Sequence, residues 1–232
     1  MEVLLPILLA VLAAVLLSAG SVYAICRLLA RKTSATTLKK KTDESGRRGE
    51  EQLLQDVRRF TRTRHSKILT NVYVTTPKGR STEIDLVLID YNGIFVFESK
   101  NYNGRVFGDE YQREWIHVLR NGDKFGFFNP VWQNRGHISA LRKICGDLDP
   151  IYFKSIIVFG RNCDFHKVRV SDRNTRIVRA GEAKQAFRQL SHGTYRSLSY
   201  RDMLDFYEKL LPYTRTTKRQ RRMHVKEIKR NH

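Results

Sequence analysis

Hydrophobic and polar positions divide this chain into stretches of different period. From Val3 to Cys26 no residue is charged and nearly all are apolar (VLLPILLAVLAAVLLSAGSVYAIC). As a helix rising about 1.5 Å per residue, that run would span roughly 36 Å, enough to cross a bilayer with some tilt. Residues 31–45 are polar and lack any apolar period, as expected of a linker. In GEEQLLQDVRRF the residues Leu53, Leu54, Val57 and Phe60 recur at helical spacing. Glu50 precedes members of that stripe by three, four and seven positions and so looks toward the core side.

Shorter periods follow. SKILTNVYVTT reads as a strand, PKGRS as a turn, and EIDLVLIDYNGIFVFESK, residues 83–100, as two strands joined at Asn-Gly. YQREWIHVL predicts another strand and RNGDKFGFF a turn-rich segment. In NPVWQNRGHISALRKICG, Asn129 can cap a helix that has Pro130 in its first turn and ends at Gly146. FKSIIVFG is a buried-strand run, and EAKQAFRQL and YRDMLDFYEKLL predict later helices. Helix, three strands, helix, strand is the order of an α/β domain whose helices cover a mixed sheet.

Three charges interrupt the apolar runs of 83–100. With Asn92 and Gly93 at the turn centre, Asp85 falls opposite Lys100 and Val87 opposite Glu98, all on one face. Asp85 and Glu98 are then diagonal neighbours, roughly 7–8 Å apart at the backbone. Two carboxylates so placed can converge on one divalent ion, with Lys100 beside them to reach a water or a phosphate. The competing assignment is a plain Asp85–Lys100 ion pair with Glu98 at a wet strand end. Against it, IDLVLI and IFVFE predict strands covered on both faces, where a carboxylate pair without a cation is costly.

Composition adds an anionic partner. The chain holds 43 Lys and Arg against 23 Asp and Glu, a net charge of +20. Residues 27–41 contribute six basic residues, and residues 215–232 carry eight with only Glu227 to oppose them. Once these segments and Glu2 are set aside, residues 42–214 still carry about +8, so the basic character is not confined to the ends. Such a balance fits nucleic acid or an acidic lipid surface.

The residues now carry a resemblance. Asp, about a dozen residues, then Glu-x-Lys on adjacent strands resembles the PD-(D/E)XK nuclease superfamily, with Ile84 where its name has Pro. More closely, GRRGEEQL, EIDLVLIDYNGIFVFESKNYNGRVFG, Trp115 and NPVWQNRGHISALR resemble the nuclease-related domain (NERD) family, most strongly over residues 46–160. The resemblance implies a restriction-endonuclease-like mixed sheet flanked by helices over 46–213. It implies a nuclease acting on DNA more than RNA, with Mg²⁺, or Mn²⁺ in its place. Asp85 and Glu98 become metal ligands and Lys100 the residue that positions the attacking water. Glu50 matches an acidic residue that some members contribute from the first helix, and Gln133 a polar position that approaches the site. A catalytically inactive module tethering nucleic acid or a protein is the competing function.

Other features take simpler readings. Gln133 and His137 lie on one helical face with Leu141 and Ile144, where satisfying buried hydrogen bonds competes with a site role. His117 alternates with Trp115 and Leu119 as a packing residue. Lys124, Phe125, Phe127 and Phe128 read as a loop that anchors aromatics in the core rather than as a nucleic-acid groove. Residues 1–30 are expected to form one transmembrane anchor. A cleaved signal peptide is opposed by the length of the apolar run and by the absence of Lys or Arg before it. Basic residues after the span put the following domain in the cytoplasm. The linker and the tail, residues 214–232, can meet acidic lipid or nucleic acid. Cys26, Cys145 and Cys163 show neither disulfide nor metal spacing.

Overall fold

The computed structural model describes residues 44–76, 79, 81–192 and 197–214. The expected anchor at 3–26, most of the linker and the basic tail from 215 lie outside the described residues. Among those described, no helix is long and apolar enough to cross a membrane.

A helix over 44–61 (α1) opens the described chain. Strands β1 (Lys67–Thr75), β2 (Ser81–Asp90) and β3 (Gly93–Lys100) follow, then β4 (Gly104–Asp109), β5 (Glu114–Val118) and β6 (Lys124–Phe128). Helix α2 (Pro130–Ile144) leads to β7 (Phe153–Phe159), β8 (Cys163–Arg169) and β9 (Thr175–Arg179). Helices α3 (Ala183–Ser191) and α4 (Tyr200–Leu210) close the domain. The strands form two mixed sheets, in the orders β1-β2-β3-β7-β9 and β6-β5-β4-β8. The expected sheet is thus the first of two.

The first sheet is covered on both faces, which is why β2 and β3 read as unbroken apolar runs. Val87, Ile89, Ile94 and Val96 pack with Ala140 and Leu141 of α2 and Met203, Phe206 and Leu210 of α4. The alternate residues Leu86, Leu88, Phe95 and Phe97 pack with Leu53 and Val57 of α1 and Ala186, Phe187 and Leu190 of α3. The second sheet packs through Val106, Trp115 and Cys163 against Ile157 and Phe159 of β7. Cys145 and Cys163 are free buried thiols, each pushed by burial up to about 11.

Two local departures set the site geometry. The β2–β3 turn is centred one residue earlier than Asn-Gly preference predicts: Asp90 pairs with Gly93 and Leu86 with Phe97. Asp90 fixes this register, because its carboxylate accepts from Asn92 N at 3.1 Å and takes both Arg64 Nε at 2.8 Å and Arg64 Nη2 at 2.7 Å. Gly93 adopts φ +129°, and a Cβ there would lie 2.4 Å from the Tyr152 carbonyl oxygen. The second departure is Asn71, with φ 52°, in the middle of β1. It reverses the alternation, so that Leu69 and Val72 enter the same core, as do their partner-strand residues Val87 and Ile84.

The turn-rich reading of RNGDKFGFF fails for its second half. Lys124–Phe128 is the edge strand β6, paired antiparallel to β5 from Glu114↔Phe128 to Val118↔Lys124. Phe125 and Phe128 are exposed rather than anchored in the core, and only Phe127 joins it. Regular pairing to β5 satisfies the backbone without burying every aromatic. His117 is buried as predicted, its Nε2 meeting the Asn103 carbonyl oxygen at 2.6 Å and its ring stacked on Tyr102.

Candidate active site

Beyond Leu86↔Phe97 the β2–β3 pairing stops while both strands continue, β2 along β1 as far as Ser81 and β3 along β7 as far as Lys100. Asp85, Glu98 and Lys100 stand at this fork. The observed register carries Asp85 across from Glu98, not from Lys100 as the Asn-Gly-centred turn predicted. Because alternation slips between Ile84 and Val87, Asp85 does not follow Val87 into the α2–α4 core. Its Oδ2 instead accepts the Ser99 N–H at 2.7 Å, a backbone donor freed where the ladder ends.

Glu98 is buried, with 2 % of its surface exposed. Its Oε1 meets Lys100 Nζ at 2.7 Å, so the lysine pairs with Glu98 where the simple ion-pair reading chose Asp85. Lys100 Nζ also donates to Gln133 Oε1 at 3.0 Å, and the expected approach of Gln133 to the motif is realised. The other carboxylate oxygen, Glu98 Oε2, is buried without a hydrogen-bond partner. It faces His137 Nδ1 at 3.6 Å, likewise buried and unpartnered. His137 Nε2 contacts Thr82 Oγ1 at 3.0 Å.

Helix α2 is held so that Gln133 and His137 reach the fork. Asn129 caps it as predicted, its Oδ1 accepting from Val131 N at 2.9 Å and Trp132 N at 3.4 Å. Pro130 occupies the first turn, and Gly146 at φ +79° follows the helix end. One turn after the cap, Asn134 Nδ2 donates to Val96 O at 2.9 Å and Ser155 Oγ at 2.8 Å, pinning the helix to β3 and β7.

The electrostatics are those of crowded carboxylates. Burial, then the Glu98 carboxylate, pushes Asp85 well above the usual range, against the pull of the Ser99 N–H. Burial also raises Glu50, with Glu83 and Glu98 adding to the effect and Arg47 and Lys100 opposing it. Glu50, half-buried on α1, thus feels the charges of Glu98 and Lys100. Burial alone would lower the Lys100 ammonium, but Glu98 outweighs it by charge and hydrogen bond and holds the group above its ordinary value. His137 is lowered by burial.

Glu83 was not singled out in the sequence. It lies two residues before Asp85 and accepts from Asn71 Nδ2 at 2.9 Å; period two along EID was the available signal. Thr82 was missed too, since nothing local marks a threonine as the neighbour of a histidine 55 positions away.

The donor set suits a hard divalent cation: carboxylate oxygens from two strands, one of them buried without a partner, beside a fixed ammonium. Among the described residues, no three His, Cys, Asp or Glu side chains converge into a preformed cage. A cation that keeps several waters and takes one or two carboxylates does not require one.

Comparison with known proteins places part of the chain in a family. A curated relative, an uncharacterized protein of Bacillus anthracis, is 33% identical over 112 residues, covering 48% of this chain and 51% of that protein. The chain thus spans about half the length of the curated relative it matches. No solved structure matches it. The sequence model of the nuclease-related domain matches residues 45–160, the segment that contains Glu50, Asp85, Glu98, Lys100 and Gln133, and the chain belongs to the nuclease-related domain family.

Proposed function

We propose that the chain is a divalent-metal-dependent nuclease that hydrolyses phosphodiester bonds of DNA, anchored to the membrane through residues 3–26 with its domain on the cytoplasmic side. The observation that carries the reading is the unpartnered, buried Glu98 Oε2 beside an Asp85 carboxyl raised above its ordinary range. A polar atom so placed is costly unless something positive completes it.

Asp85 and Glu98 would hold Mg²⁺, or Mn²⁺, with Glu50 adding negative charge from α1. Held there, such a cation would supply Lewis-acid charge and acidify a water. The chain's own groups do the positioning. The Ser99 N–H holds Asp85 in the fork. Lys100 has three N–H donors; Glu98 and Gln133 orient the ammonium through two, and we assign the third to the attacking water. Its raised pKa makes it a charged donor rather than a base. Its role is therefore to meet negative charge as it develops, an effect typically worth about 2.7–4 kcal/mol per donor. The net charge of +20 supports an anionic polymer as substrate.

Hydrolysis of linear DNA by the purified full-length protein in Mg²⁺ or Mn²⁺, stopped by chelator, is the expected result. DNA binding without hydrolysis under either ion would support an inactive tether instead. Deleting residues 1–26 should move the protein from the membrane to the soluble fraction; full-length protein found soluble would overturn the anchor.

A further inference from the structure

The outer face of the second sheet has no part in the chemistry above. Cross-strand pairing sets Lys167, Phe107, Ile116 and Gly126 in one row across β8, β4, β5 and β6. On the same face Arg105 and Lys124 flank Val118, while Phe128 stands across from Glu114. The opposite face is the one that packs into the core with Trp115 and Phe127. Ile116 is 46% exposed and Phe128 43%, while Phe107 is half-buried, so the face is open at Ile116 and along the Phe128 edge. At Gly126 a Cβ would meet only the Glu114 carboxylate, Oε2 at 3.8 Å, so the surface beside Ile116 is low there, with Phe107 across from Ile116 and Phe128 two residues along β6.

Phe128 borders the first turn of α2. The Phe128 ring meets Trp132 edge-on at 6.4 Å between centroids. Trp132 is 37% exposed in the first turn of α2, and its neighbour Gln133 is the residue that Lys100 contacts. Cations border the apolar row: Lys167 Nζ lies 5.7 Å from the centre of the Phe107 ring, with Arg105, Lys124 and Arg169 exposed nearby. Asp109, Glu114 and Asp164 share the face, so it is mixed in charge rather than a uniformly basic patch, and the aromatics distinguish it.

We propose that this face is a stacking platform for single-stranded nucleic acid, with Phe107 and Phe128 receiving unpaired bases and Arg105, Lys124, Lys167 and Arg169 contacting phosphates. Planar hydrophobes interleaved with cations suit a strand whose bases are splayed and whose backbone is anionic. A duplex hides its base faces and cannot use the platform. The inference deepens the nuclease reading and rests on it for the link to Lys100: the strand led to the fork is single or locally unpaired.

The test is metal-free binding of a fluorescein-labelled oligo-dT strand to the full chain, read by anisotropy. Phe128→Ala and Phe107→Ala should each weaken binding about five- to a hundred-fold, the usual range for one stacked base. Phe128→Leu, which keeps apolar bulk without the ring, should behave like Phe128→Ala. Tyr91→Ala, which removes an exposed aromatic at the β2–β3 turn, should bind as wild type. Lys124→Gln with Lys167→Gln should flatten the salt dependence by about 0.7 per charge lost. Wild-type affinity in both phenylalanine variants overturns the platform. So does binding of acidic-lipid vesicles that those variants lose while oligo-dT binding persists. Oligo-dT binding lost in these variants, in a protein that cleaves no strand under any metal, keeps the platform and removes the nuclease reading alone.

Discussion

Lys100 Nζ donates to Gln133 Oε1 at 3.0 Å, tying the last residue of β3 to the first turn of α2. The same ammonium meets Glu98 Oε1 at 2.7 Å, so its position is fixed from two elements. Lys100→Met should therefore cut the rate of hydrolysis by about 10²–10³-fold, the cost of one preorganised donor, while moving Mn²⁺ affinity less than loss of Asp85 does. Gln133→Leu should lower the rate by a smaller factor, because Glu98 still orients the ammonium. Steady-state rates beside calorimetric Mn²⁺ titration separate the two contributions. Equal loss of metal affinity in Lys100→Met and Asp85→Asn would make Lys100 part of the carboxylates' binding geometry instead.

Asp85 makes the metal-free domain sensitive to pH in a definite direction. Its folded pKa is raised, first by burial and then by Glu98, and Glu50 is raised in the same sense. A carboxyl raised on folding binds protons better folded than unfolded, so it penalises the folded state above its folded pKa. The penalty is relieved as pH falls through that value toward the unfolded one. Without metal, the Asp85 and Glu50 contributions to stability should thus grow as pH is lowered from neutral through the raised pKa values, while His137 and Asp90, whose folded pKa values are lowered, act in the opposite sense. Asp85→Asn should raise Tm at neutral pH and flatten that trend. Melts showing Asp85→Asn less stable than wild type at neutral pH in chelator would contradict the strained-carboxylate description.

His137 should act on the same site from the helix side. Its Nδ1 faces Glu98 Oε2 at 3.6 Å and its Nε2 contacts Thr82 Oγ1 at 3.0 Å. Removing the ring by His137→Ala leaves a buried cavity and an uncovered carboxylate. We expect a loss of about 1–3 kcal/mol in stability and weaker Mn²⁺ binding. Thr82→Val, which keeps the ring in place, should be milder on both measures. If the two variants melt alike and bind Mn²⁺ as wild type does, the ring is packing and does not hold Glu98.

Much of this arrangement was legible in the sequence because local rules govern it. Asn129 and Pro130 announced the start of α2, and the apolar runs around Asp85 and Glu98 announced strands covered on both faces. The register of β2 and β3 was not legible. Asn-Gly preference favours a turn centred on Asn92 and Gly93, but Asp90 gathers Arg64, Ser66 and Asn92 and draws the turn back by one residue. That shift placed Asp85 across from Glu98. The alternation slip at Asn71 depends on one positive φ at a non-glycine residue, which no hydrophobic pattern records. Glu83 and Thr82 join the site through that slip and through packing of α2. The second sheet was mostly missed: only β5 was identified, since β4 and β6 carry glycines, RNGDKFGFF read as turn-rich, and β8 interrupts its apolar positions with Asp164, Lys167 and Arg169.

If Asp85 and Glu98 hold the metal with which this domain would hydrolyse DNA, covalently closed circular plasmid reports it. Glu98→Gln keeps the size and hydrogen-bonding capacity of the side chain while removing the charge that a cation needs. In Mg²⁺, full-length wild type should convert closed circles to relaxed and linear forms, and folded Glu98→Gln at equal concentration should leave them closed. Closed circles opened at the same rate by both proteins would remove Glu98 from the chemistry.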